Sequence, residues 1–276
     1  MMIASSLNLI GLSMFQLAPL VCILIFIASA AQAEPHKKTA YNTVKPATVA
    51  FQPGERFTYN ISWSNFFQAG TSVMEVRGEE TAEGRPVYRI VSTTRSSAFI
   101  SAFFPVMDVV QSVLDAKEIC SLSYSVHELH GKKKRQREMV FDHEQGTVRI
   151  VTNGKEEMFT VTGRVQDALS SLYYLRTRDD FTPGKPITIE VHDGGKNWSV
   201  EVQTLGRETI KTTLGEFKAI KVRTFPKYEG VFQHKGEIFI WLTDDARKIP
   251  VLMKSTITIG SIVATLTEMQ AGENKK

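Results

Sequence analysis

The sequence predicts a mainly β protein, a large curved antiparallel sheet or partly closed β-barrel with one substantial helix at about 165–178. Three observations predict it. Short segments alternating apolar and polar residues recur along the chain, Gly, Pro, Asp and Asn punctuate them at turn-like spacing, and one stretch alone switches to helical periodicity. So long a series of strands must curl or close to protect its edges.

Ahead of the strands, residues 1–33 contain no Asp, Glu, Lys or Arg, carry the apolar run Leu20–Ala28 and end in Ala31-Gln32-Ala33. That is the outline of a signal peptide cleaved before Glu34, so the expected location is the periplasm. No Lys or Arg precedes the apolar run, and an uncleaved inner-membrane anchor is the alternative. Residues 34–50 are polar, mildly basic and without an apolar face, and read as a flexible linker. Residues 51–270 read as a single β-rich domain and 271–276 as a polar tail. Beyond the leader the net charge stays at +4 and Cys120 is the sole cysteine. An internal disulfide is therefore excluded in the mature chain; the charge excess is too slight to imply nucleic acid, which the predicted export also argues against.

The strands follow in order. Phe57–Trp63 alternates as a half-buried strand should, and Ala69–Val76 and Val87–Thr93 repeat the pattern. Ser121–Leu129 and Glu138–Asp142 flank a basic tip as a hairpin. Thr147–Thr152 and Glu157–Val161 flank Asn153-Gly154, a strong hairpin signal. Val165, Ala168, Leu169, Leu172, Tyr173 and Leu175 then recur at helical spacing, with Asp167 near the start and Arg176 and Arg178 near the end, where each suits the helix dipole. Asp167 and Arg176 face different sides of that helix, so each needs its own partner in the sheet. Strands resume at Ile187–Val191, Trp198–Leu205, Thr209–Thr212, Phe217–Phe225, Gly236–Leu242, Val251–Ile259 and Ser261–Met269. Phe51-Gln52-Pro53-Gly54 and Phe181-Thr182-Pro183-Gly184 look alike across the helix. Common Pro-Gly turn chemistry accounts for this, with duplication of a β-meander as the alternative.

Four motifs occur in a recognisable order: Phe51-x-Pro-Gly-Glu55-x-x-x-Tyr59 with Trp63 and Ala69-Gly70; Asp167-x-Leu-Ser170-x-Leu-Tyr173-x-Leu-Arg176; Gly215-x-Phe217-x-Ala-x-Lys221; and Ile240-Trp241-Leu242-Thr243-Asp244-Asp245-x-Arg247-x-Ile-Pro250. Together they resemble the exported bacterial proteins grouped as domain of unknown function 3108, over nearly the whole mature chain. The resemblance implies a periplasmic domain of mostly antiparallel sheet and supplies no catalytic residues.

No catalytic constellation emerges from the residues themselves. Asp244 and Asp245 suit a turn better than a carboxylate pair, since neighbours on a strand point to opposite faces. His127 and His130 fall on opposite faces of one hairpin arm, and His143, His192 and His234 read as solvated turn residues; no metal-ligand spacing occurs. Cys120 reads as a small buried hydrophobe. Catalytic residues, metal ligands and cofactors are accordingly all expected to be none.

Two segments stand apart from ordinary scaffold. Residues 97–107 hold Phe99, Ile100, Phe103, Phe104 and Met107 with no charge among them. The core, a ligand or a partner must bury them; core burial is the default, and an apolar ligand-binding flap is the candidate site. Lys132, Lys133, Lys134, Arg135 and Arg137 place five cations in six positions, a solvated turn by default and a contact for an anionic partner as the candidate. The combination favours a non-enzymatic binding or carrier module for an amphipathic or apolar envelope ligand, with a lipid or an envelope protein as partner. An envelope hydrolase and a structural module docking on an envelope complex are the rivals.

Overall fold

The protein is described by a computed structural model covering residues 50–272 apart from 65–66, 83–84, 229–230, 233–236 and 257–259. The expected signal peptide, nearly all of the expected linker, His234 and the end of the expected polar tail lie outside the described residues. The elements are β1 (Arg56–Trp63), β2 (Phe67–Ala82), β3 (Arg85–Ser96), α1 (Ala98–Ser101), β4 (Val106–Asp115), β5 (Ser121–His130), β6 (Lys133–Asp142), β7 (Thr147–Thr152), β8 (Lys155–Thr160), α2 (Ser170–Arg176), β9 (Ile187–Asp193), β10 (Lys196–Thr212), β11 (Gly215–Tyr228), β12 (Val231–Phe232), β13 (Ile238–Thr243), β14 (Pro250–Thr256) and β15 (Ser261–Gln270).

The strands form one antiparallel sheet in the order β8-β7-β6-β5-β4-β3-β2-β1-β15-β14-β13-β11-β10-β9, with β12 paired to β11. It is two meanders, β1–β8 and β9–β15, joined where β1 pairs β15 from Arg56↔Gln270 to Trp63↔Ile262. Each meander is entered through a Phe-x-Pro-Gly turn: Phe51 and Phe181 are both buried, Glu55 N donates to the Gln52 carbonyl and Lys185 N to that of Thr182, at 3.1 Å each. Gly54 and Gly184 take φ of 85° and 80°, values that favour glycine. The two turns share one local geometry.

Alternation selects the buried face. Phe57, Tyr59 and Ile61 of β1, Tyr88 and Ile90 of β3, Val110 and Leu114 of β4, and Val200 and Val202 of β10 all pack into one core with α2. Among the described residues no β8–β9 ladder closes the sheet. Side chains bridge that seam instead. Asn197 Nδ2 donates to the Thr160 carbonyl at 2.9 Å, Arg137 pairs with Asp193 at 2.7 Å, and Phe159 lies so close to Gly195 that a Cβ there would meet its ring at 2.8 Å. The segment before α2 adds backbone bonds: Gln166 N donates to the Glu190 carbonyl and His192 N to that of Gln166, both at 2.8 Å, while Ser121 N reaches the Val165 carbonyl.

Three expectations need correction. The helix is two turns, Ser170–Arg176, rather than 165–178: Val165 and Gln166 are drawn into the sheet seam, and Asp167 Oδ1 accepts from Leu169 N and Ser170 N, turning the chain before α2 starts. Trp198–Leu205 and Thr209–Thr212 belong to the single strand β10, which continues through a bulge between Thr204 and Gly206. Strand β4 was not foreseen beside the apolar segment, because its inward positions are Val106, Asp108, Val110, Ser112 and Leu114, and two polar residues among five disguise the alternation.

The two ends of the sheet differ. At one end α2 is anchored at both termini. Asp167 is buried and its Oδ2 accepts from Ser112 and Ser121 at 2.5 Å each. Arg176 is also buried; its Nη1 and Nη2 donate to Glu55 at 2.6 and 2.8 Å, and Nη2 and Nε reach the carbonyls of Ala50 and Arg247. Its guanidinium lies 5.1–5.6 Å from the ring centroids of Phe51, Phe57 and Tyr173. Each charge thus has its own partner, and the charged residues of two motifs meet. Ala50, placed in the linker by sequence, is buried here. The other end carries the β1–β2 and β5–β6 turns and the α1 crossover.

Candidate binding rim

The crossover from β3 to β4 is ordered by polar side chains at its base. Ser96 Oγ accepts from Val106 N at 2.8 Å and lies 2.7 Å from Ser101 Oγ, while Ser97 N donates to the Ala69 carbonyl at 2.8 Å. Ser97 Oγ caps α1 by accepting from Ile100 N. With both ends of the crossover fixed to β2, β3 and β4, the intervening apolar residues are carried outward. Phe99 and Phe103 are 70% and 77% exposed, with ring centroids 5.7 Å apart, and Met107 is 39% exposed. Ile100 and Phe104 are half-buried. Burial by the core, the default expectation, therefore fails for Phe99 and Phe103, which the serine clamp holds on and just beyond a one-turn helix with no buried residue, and for Met107, which strand alternation on β4 turns outward between Val106 and Asp108. Phe67, 43% exposed on β2 and 5.9 Å from Trp63 between centroids, adds to the same end of the sheet.

The basic hairpin stands directly beside this crossover. Val106 pairs His130 and Met107 pairs Leu129 across β4–β5, His130 pairs Lys133 across the tip, and Gly131 N donates to the Pro105 carbonyl at 2.8 Å. Gly131 has φ of 63°, and a Cβ there would lie 2.8 Å from the Phe104 ring. Only glycine fits, because the backbone must both turn left-handed and pass against an aromatic face. Lys132, Lys133, Lys134 and Arg135 are exposed. Arg95, paired in register with Met107, is exposed as well. The apolar and the cationic candidates thus form one surface.

Arg137 does not belong to it. Strand alternation turns Arg137 inward, where it is buried, pairs with Asp193 across the seam and lies 6.0 Å from the Tyr124 ring centroid. The exposed cations of the hairpin are four rather than five.

Behind the rim, the inner wall carries a row that sequence reading missed. Register aligns Ser72, Thr94, Asp108, Glu128 and Arg135 across β2 to β6. Thr94 Oγ1 donates to Ser72 Oγ at 2.9 Å, Asp108 Oδ1 lies 2.8 Å from His130 Nε2, and Arg135 lies 3.9 Å from Glu128. Burial pushes the Glu128 carboxyl up despite Arg135. Burial alone would lower the His130 pKa, but its hydrogen bond to Asp108 and the charges of Asp108 and Glu128 raise it. The signal that could have found Asp108 was its phase with Val106 and Val110.

The remaining candidates have structural work. Asp244 pairs with Arg207 at 2.9 Å. Burial disfavours ionisation of Asp245, yet hydrogen bonds from Thr243 Oγ1 and Arg247 hold its pKa below the usual value while it closes the β13–β14 turn. The two carboxylates therefore serve separate partners. His192 is no solvated turn residue: it is buried on β9, its Nδ1 lies 2.6 Å from Asn197 Oδ1, and burial lowers its pKa. His143 bridges the Ser121 and Gly163 carbonyls, and His127 is exposed. Cys120 is buried, which pushes its thiol up to about 12. Among the described residues no group of three or more His, Cys, Asp or Glu is arranged to hold a metal ion.

The sequence from 58 to 267 matches the family model described as a protein of unknown function, DUF3108. The chain belongs to the DUF3108 family. This DUF3108 chain superposes on a DUF1849 protein of Brucella abortus described as β-barrel-like with a TM-score of 0.57 at 12% identity, over 81% of this chain and 100% of that one. A Bacteroides fragilis protein described as exported with a YmcC-like fold matches at TM-score 0.34 and 12% identity, over 80% of this chain and 97% of the other. A Parabacteroides distasonis protein described as a lipoprotein gives 0.33 and 8%, over 81% and 99%. No curated protein matches the chain. The B. abortus likeness shows fold alone.

Proposed function

We propose that this DUF3108 protein is a non-enzymatic periplasmic binding or carrier module for an amphipathic envelope molecule with an anionic head. The observation that carries this reading is the rim. Phe99 and Phe103 stand exposed on a clamped crossover, and the exposed cations Lys132, Lys133, Lys134 and Arg135 stand on the hairpin fastened to it. An exposed apolar cluster marks an interaction site more often than ordinary surface. Aromatic rings beside ammonium and guanidinium groups match a molecule with an acyl or other apolar part joined to an acidic one. The uncharged leader supports export, and the separate structural duties of Asp244, Asp245, His192 and Cys120 weigh against the hydrolase reading.

The test is a titration with a fluorescent fatty acid kept below its micelle threshold. Saturable binding that weakens at least roughly tenfold in F99S/F103S is expected, since each aromatic side chain removed from water is worth on the order of that factor. Absence of saturable binding, or equal affinity in the variant, overturns the reading.

A further inference from the structure

We infer that the rim seats the protein on an anionic bilayer surface, with Phe99 and Phe103 entering the headgroup region and Arg95, Lys132 and Lys134 facing acidic lipid heads. The inference rests on the reading of this rim as a site for amphipaths and names the leaflet itself as a partner. Three features favour a bilayer. First, the apolar group is aromatic and projects. Phe99 on α1 and Phe103 in the turn that follows it lie four residues apart, their rings in edge contact, on a crossover whose base is fixed by Ser96, Ser97 and Ser101, so ordering them on binding costs little. Phe67 widens the apolar line along the same edge. Phe side chains serve as apolar anchors that enter the headgroup–acyl boundary from a surface whose other groups are basic.

Second, the charge around these rings has one sign. Residues 95–107 and 131–137 contain no Asp or Glu. The acidic groups nearest in register, Asp108 and Glu128, point to the inner wall, where the side chains are 1% and 9% exposed. A surface cation near an acidic leaflet strengthens binding by on the order of fivefold. Third, the two kinds of group are fixed together by the Gly131–Pro105 hydrogen bond and by Phe104 against Gly131. One approach therefore engages both. A soluble polyanion would use the cations and leave the rings in water.

The experiment is co-sedimentation of the exported chain with intact vesicles of phosphatidylcholine alone and of phosphatidylcholine with phosphatidylglycerol, run beside the fatty-acid titration. Binding to the phosphatidylglycerol vesicles is expected, with little to the neutral ones. K132E/K134E should weaken it by more than about tenfold, by reversing two charges, and F99S/F103S by about tenfold or more. These side chains are exposed, so unchanged thermal unfolding midpoints will show that the variants fold. Equal binding to both vesicle types, binding to neither, or indifference to both variants overturns the inference. The two readings separate cleanly. Binding of the dispersed fatty acid without vesicle binding overturns docking and leaves the ligand reading intact; vesicle binding without it sustains docking and removes the carrier.

Discussion

Replacing Glu55 with Gln tests how α2 is held. Glu55 is 6% exposed and accepts both terminal nitrogens of Arg176, itself 1% exposed. Glutamine keeps the shape and removes the counter-charge, so the guanidinium stays buried with only the Ala50 and Arg247 carbonyls and the amide oxygen as acceptors. Breaking a buried pair from one side costs about 3–5 kcal/mol. For a domain of roughly 150–250 residues each kcal/mol moves the midpoint by about 2–4 °C, so a fall of roughly 6–20 °C is expected. Arg176→Met should cost a similar amount, because it leaves the buried Glu55 carboxylate without its counter-charge. The double variant should cost clearly less than the sum, by about 2 kcal/mol or more, since neither charge is left alone. Urea unfolding of the four proteins supplies the cycle. A Glu55→Gln cost below about 1 kcal/mol, or additivity in the double variant, would show that the pair is not desolvated and refute the reasoning.

The other anchor and two isolated groups give further expectations. Asp167→Ala strands the hydroxyls of Ser112 and Ser121 and two backbone donors, and should destabilise by about 3 kcal/mol or more, whereas Asp167→Asn, which keeps an acceptor for the backbone, should cost visibly less in the same unfolding assay. Burial raises the Asp167 pKa, so the folded state holds that proton more tightly; its contribution to stability should rise as the pH falls through the raised value, and Asp167→Asn should remove this slope. His130 has a raised pKa. Its pairing with Asp108 should therefore contribute fully below the ordinary value of 6.5 and fade as the pH climbs through the raised one; a chemical-shift titration of the ring in wild type and Asp108→Asn checks this. Cys120, buried with its thiol pushed up to about 12, should resist alkylation at neutral pH in the folded protein and react fully in urea.

Much of the fold was legible because alternation is a local signal. Thr147–Thr152 came out with its observed bounds, and most other strands differ only at their ends. What escaped was set by tertiary partners. Strand β4 hid because Asp108 and Ser112 occupy inward positions, where Asp108 Oδ1 meets His130 and Ser112 donates to Asp167, partners from elsewhere in the chain. The start of α2 escaped because Gln166 pairs with Val191 in the seam, a contact that helical periodicity does not encode. For the site, both segments stood out by composition alone, yet nothing in the sequence said that they adjoin; the β4–β5 register and the Gly131–Pro105 bond decide that. Arg137 went astray because a run of cations conceals the strand alternation that turns it inward, onto the face of Met139 and Phe141.

The central claim is that the rim holds an amphipath, and native mass spectrometry of the protein purified gently, without detergent, from the cells that express it tests it most directly. A population carrying an extractable acidic lipid or similar apolar molecule, lost in F99S/F103S, is the predicted result. A single ligand-free mass, with nothing recovered by organic extraction from either protein, would contradict the account.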